Sequence, residues 1–158
     1  MSDLPGATSA PTRTADDRPR VTTRTTPATS LGLLALRLAT GVLLLVHGVP
    51  KLSNPAGATG MAASLGVPAP DLAGWLVILG EVGLGTLLIA GLATRLAGAL
   101  LLVQMAGVWL LAHAPDGFLV EGQVNGENAL LFAAVGLTLC LVGAGGLSVD
   151  AVLARRRR

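Results

Sequence analysis

LAGWLVILGEVGLGTLLIAGL, residues 72–92, is an unbroken apolar run that holds one carboxylate, Glu81, near its middle. At about 1.5 Å per residue, a helix of roughly 20 residues spans about 30 Å, the thickness of a bilayer's hydrocarbon core. An acidic side chain at that depth costs about 2.5–3.5 kcal/mol on insertion scales, so it faces a partner or a cavity rather than lipid. The run therefore sets the class, a membrane-spanning helix, and raises the question of what Glu81 is paired with.

The rest of the chain agrees. Of 158 residues, 52% are hydrophobic and 13% charged, where a soluble domain carries about a quarter charged. Mean hydropathy is +0.69. Three more apolar runs predict spans at about Leu31–Val49, Leu96–Ala114 and Glu127–Val142. Pro50, Asn54 and Pro55 close the first, Thr94-Arg95 forms a short turn, and Pro115-Asp116-Gly117 closes the third. The Gly60–Pro70 segment begins as a short interfacial helix, and Asp71 is the expected N-cap of the second span. The fold class is all-α: an integral membrane four-helix bundle over residues 31–150. Residues 1–30, poor in apolar side chains, read as a disordered tail. Residues 151–158 read as a basic tail.

Four spans place both termini on one side. Arg13, Arg18, Arg20, Arg24, Arg95 and Arg155 to Arg158 all fall there, which predicts cytoplasmic termini by the positive-inside rule. The same arginines account for the basic pI of 9.5, so no nucleic-acid partner is implied. Cys140 is the only cysteine, which excludes intramolecular dithiol chemistry and thiolate metal sites. Glycines inside the spans, among them Gly41, Gly48, Gly85, Gly98 and Gly136, suit close helix approach. GEVGLG lies inside an apolar helix and is no phosphate loop.

The polar residues at the spans are few. Arg37, His47, Lys51, Glu81, Arg95, His113 and Glu127 are the candidate substrate-binding set, and Glu81, His47, His113 and Glu127 the candidates for proton handling. At about 100° per residue, Arg37, Gly41, Leu44, Gly48 and Lys51 share one stripe of the first helix, and Gly74, Ile78, Glu81, Gly85 and Leu88 one of the second. Arg37 is expected to extend toward Glu81, either as a structural ion pair or as a functional site. The histidines are either hydrogen-bonded to loops or a proton relay with Glu127. No HxxxH or ExxH spacing supports a metal site. Trp75 and Trp109 read as interfacial anchors or bundle packing.

Several stretches in order resemble the DoxX family of small bacterial membrane proteins: LRLATGVLLLVHGVPKL (residues 36–52), LGVPAP (65–70), GEVGLGTLLIAGLATRLAGALLL (80–102), HAPDGF (113–118), NGENALL (125–131) and GAGGLSVD (143–150). The resemblance implies a four-helix protein of the bacterial inner membrane. It also implies a link to thiosulfate:quinone oxidoreductase subunits and to thiol and oxidative-stress systems, with the family's recurring polar positions falling on the seven residues above. Asn128 stands where the family usually has an aromatic residue, and the chain has no Tyr.

On this reading the chain is a membrane oxidoreductase subunit or redox-stress component. Quinone or a sulfur compound would be bound in the bundle, with no intrinsic cofactor and with a separate redox partner protein. The alternatives are a membrane scaffold for soluble redox enzymes and a small transporter. The bilayer is the one certain partner, and a homo-oligomer stays open.

Overall fold

The computed structural model describes residues 26–157. Every run read as a span is helical: α1 is Pro27–Ser53, α3 Pro70–Ala90, α4 Thr94–Val108 and α5 Glu127–Val142. Two short helices accompany them, α2 at Ala56–Ser64 and α6 at Val149–Arg156. The α4 rod continues through a π turn at Trp109–His113 and a 3-10 turn at Ala114–Asp116. With that extension, α1, α3 and α4 are long and apolar enough to cross a membrane; α5 is a shorter apolar helix of 16 residues. A small hairpin, β1 (Leu119–Val120) against β2 (Gln123–Val124), joins α4 to α5. This is an all-α membrane bundle.

Four boundaries differ from expectation. The turn read at Thr94-Arg95 falls at residues 91–93, and Thr94 opens α4. The first helix starts at Pro27, so residues 27–30 belong to α1 and not to the tail; residues 1–25 of that tail lie outside the described residues. Thr26 makes the difference: its hydroxyl accepts from Thr29 N at 3.2 Å, and Pro27 supplies a preset φ at the first helical position. At its other end α1 runs through Pro50 to Ser53 before Asn54-Pro55 stops it. A proline this near the end forfeits little of the ladder, and Lys51 keeps helical phase. Asp71 is not the cap of α3. Ala69 (φ 50°) holds that place, Pro70 opens the helix, and Asp71 sits exposed in the first turn.

The helices pack chiefly in two pairs, α1 with α3 and α4 with α5. Glycine backbone makes both contacts. A Cβ on Gly41 would lie 2.7 Å from Gly85 O, and one on Gly98 would lie 2.7 Å from both Gly136 O and Cys140 N. Lipid gives no hydrophobic drive for helix association, so such close approach supplies the dispersion contact that holds the pairs. The predicted stripes are the buried ones: Arg37, Gly41, Leu44 and Gly48 on α1, and Gly74, Ile78, Glu81, Gly85 and Leu88 on α3. Leu101 and Leu139 complete the core between α4 and α5. Outward leucines such as Leu76, Leu79 and Leu131 are exposed, as lipid-facing positions are. Helices α3 and α4 touch less closely, which leaves a groove of about 710 Å³ that α2 borders; Gln104 is its main polar group.

One end of the bundle is tied by hydrogen bonds. Gly146 N donates to Ser30 Oγ at 3.2 Å. The Asp150 carboxylate accepts from Ala93 N at 2.8 Å and Thr94 N at 2.9 Å, capping the otherwise open start of α4. Gly91, in the left-handed conformation (φ 67°), ends α3 and returns its carbonyl to Asp150 N at 3.0 Å. The start of α1, the α3–α4 turn and α6 therefore meet at one end, as antiparallel spans require.

Candidate functional site

Glu81 pairs with Lys51. Lys51 Nζ lies 2.6 Å from Glu81 Oε1 and 2.8 Å from Oε2, so one ammonium serves both carboxylate oxygens. The Glu81 side chain is 9% exposed and that of Lys51 34%. The carboxylate is thus sealed between α1 and α3 while the ammonium reaches the surroundings. Gly48 creates the space: a Cβ there would fall 2.8 Å from Glu81 Cβ. The neighbouring small residues are therefore part of the site's construction.

The expected Arg37–Glu81 pair does not form. The antiparallel register of α1 and α3 puts Gly41 beside Gly85 and Gly48 beside Glu81. Arg37, about three helical turns before Gly48, falls opposite the end of α3. There its side chain is fully buried, and it donates from Nη1 to Leu88 O at 3.1 Å and from Nη2 to Leu147 O at 2.6 Å. The guanidinium packs directly over Gly91, where any Cβ would collide with it. Arg37 is a clasp joining α1, the last turn of α3 and the segment before α6. Lysine has no planar fork to serve two separate carbonyls. Arg37→Lys is accordingly expected to cost about 2 kcal/mol, two hydrogen bonds from a charged donor being weakened or lost. A lowered unfolding midpoint is the expected measurement.

The remaining candidates are dispersed. His47 is exposed on α1, and its Nδ1–H donates to Leu43 O at 2.7 Å, within its own helix. His113 has the loop role: its Nδ1 lies 3.0 Å from Asn125 Oδ1. Asn125 Nδ2 in turn donates to His113 O at 2.8 Å and Gly117 O at 3.3 Å, which leaves Oδ1 to accept from the ring. Trp109 Nε1 donates to Asn125 O at 2.8 Å, and its ring meets Phe118 edge-on at 6.3 Å. Glu127 is exposed in the first turn of α5, where a carboxylate suits the helix dipole. No His113–Glu127 hydrogen bond joins them into a relay among the described residues. Arg95 is exposed at the end of the bundle where α3 turns into α4, packed beside Gly143. Among the described residues no three His, Cys, Asp or Glu side chains converge as a metal site would need.

Two organising residues escaped the sequence reading. Asn125 reads as half of an Asn-Gly turn, and only its amide partners reveal it as the node of the α4–α5 loop. Asp150 reads as one acid in a short tail; the motif GLSVD that contains it was the available signal.

The family model DoxX matches residues 32–114, a stretch that contains both Lys51 and Glu81. The chain belongs to the DoxX family. Among its relatives is a Haemophilus influenzae protein, described as "Uncharacterized protein", 36% identical over 75% of this chain and 87% of its own length. "Inner membrane protein YphA" of Escherichia coli is 29% identical over 75% of this chain and 87% of its own. "Putative oxidoreductase CatD" of Bacillus subtilis is 28% identical over 76% and 85%. No solved structure matches the chain significantly. The protein is thus a multi-pass DoxX protein of the bacterial inner membrane, and its ion pair lies inside the segment that defines the family.

Proposed function

We propose that this DoxX protein is the membrane subunit of a quinone-linked oxidoreductase, with Lys51 and Glu81 forming its polar site. The observation that carries the reading is the pair itself: a buried carboxylate held by an ammonium that stays one-third exposed. Charged side chains within spans are costly to keep there and characteristically mark ligand or proton paths. The relative named as an oxidoreductase adds support for the reaction class.

The pair suits a quinone ring chemically. Lys51 is a donor for a carbonyl or an anionic oxygen, and Glu81 can hold or release a proton beside it. A quinone would supply acceptance of two electrons and two protons, with the electrons coming from a sulfur-compound substrate or a partner protein. Lys51 then orients and compensates negative charge, Glu81 exchanges the proton, and the apolar faces of α1 and α3 exclude water. Arg37, His113 and Arg95 have structural positions and no part in this scheme.

Direct binding of a short-chain quinone to the purified protein tests the reading. Saturable binding that weakens at least about tenfold in Lys51→Met is expected, the loss of one charged hydrogen bond of roughly 1.5 kcal/mol. Absent binding, or binding equal in wild type, Lys51→Met and Glu81→Gln, would overturn it.

A further inference from the structure

We infer that α6 is an interfacial anchor that docks on the anionic headgroups of the bilayer. The helix is fixed by one acid. Asp150, the sole carboxylate on α6, is consumed by Ala93 N and Thr94 N, and Ser148 caps the helix by accepting from Ala151 N at 3.1 Å. These bonds bind one side of α6 to the end of the bundle.

The other side has no partner among the described residues and has a definite composition. Val149, Val152 and Leu153 follow the i, i+3, i+4 spacing of one helical face. Asp150 lies about 100° round the helix from the centre of that face, whose three side chains are 39%, 48% and 40% exposed. Arg156 extends the same stripe and Arg155 borders it beside Val152; Arg157, at the helix end, is also exposed. With Asp150 turned inward, the outward face offers apolar bulk and positive charge only.

That combination fits a surface with acyl chains below and negative headgroups above. The bilayer is also the partner already at hand. Leu31, in the second turn of α1, and Leu96, in the first turn of α4, are each 61% exposed at this same end, and Leu147 before α6 is 51% exposed. The apolar triad continues that lipid-facing belt, with the arginines at its rim. Each arginine near an anionic surface adds about fivefold to partitioning.

The test places an environment-sensitive label at Val152→Cys in a Cys140→Ala background, in nanodiscs of either phosphatidylglycerol or phosphatidylcholine. A blue-shifted, quencher-protected label on phosphatidylglycerol alone is expected. Replacing Arg155, Arg156, Arg157 and Arg158 with Gln should reverse the shift, as should high salt on the unsubstituted tail, which screens without any risk to folding. Equal emission on the two lipids, or indifference to both the Gln substitutions and salt, would overturn the inference. So would a label that is wet on both discs and buried only when a soluble acidic protein is added.

Discussion

Lys51→Met is expected to destabilise the protein by about 2–3 kcal/mol, because it leaves a buried carboxylate with no counter-charge. The full cost of breaking a buried pair is about 3–5 kcal/mol, and the part exposure of Lys51 lowers it. Glu81→Gln should cost less, since the ammonium that remains can reach solvent or headgroups. The double variant Lys51→Met/Glu81→Leu should recover most of the stability while losing quinone binding altogether. That split is the informative outcome: it separates a site from a strut. The measurements are unfolding midpoints in detergent micelles and saturable quinone binding on the same samples. Recovered stability together with retained binding would show that the pair serves only packing. An Arg37→Gln/Glu81→Gln cycle should be additive within about 0.5 kcal/mol, because the two side chains share no partner.

Gly98→Leu is expected to prevent stable assembly of α4 on α5, with a loss of at least about 3 kcal/mol. A Cβ at Gly98 meets Gly136 O and Cys140 N at 2.7 Å and Leu139 C at 3.1 Å. Those are backbone atoms, so no rotamer change relieves the clash. The helices must separate, and separation forfeits dispersion contact along the whole crossing. Gly83→Ala is the matched control, since nothing lies within 4 Å of a Cβ there. It should be neutral or stabilising by a few tenths of a kcal/mol through helix propensity. Membrane-fraction yield and thermal unfolding of the two variants measure the contrast. Equal yields would show that the Gly98–Gly136 crossing does not hold the pair together.

Much of the bundle was legible because lipid imposes simple rules. An apolar run of this length must be helical, as residues 72–90 are, since within one segment only a helix satisfies every backbone group away from water. The stripes on α1 and α3 follow from helical phase, and both are the buried faces. Glu127–Val142 was placed to the residue, with Gly126 (φ 68°) at its start and Gly143 (φ 87°) at its end marking the boundaries. Pro50 misled, since proline chemistry disfavours a helix interior but three more residues could still follow. That one misplacement moved Lys51 outside the span and left Arg37 as the apparent partner of Glu81.

The amino-acid sequence by itself determined the class, the spans, the buried stripes and the presence of a charge that needs a partner. These are local properties: hydropathy, phase and turn chemistry act within one helix or one loop. Only the tertiary structure decided which charge answers Glu81. Register between antiparallel helices is set by where their backbones interlock, here Gly41 against Gly85 and Gly48 against Glu81. Once that contact is made, Lys51 comes within 2.6 Å of the carboxylate, and Arg37 is carried to the far end to clasp Leu88 and Leu147. Bringing Arg37 to Glu81 would take a shift of 14 residues, about four helical turns, and no feature within a single helix specifies the register.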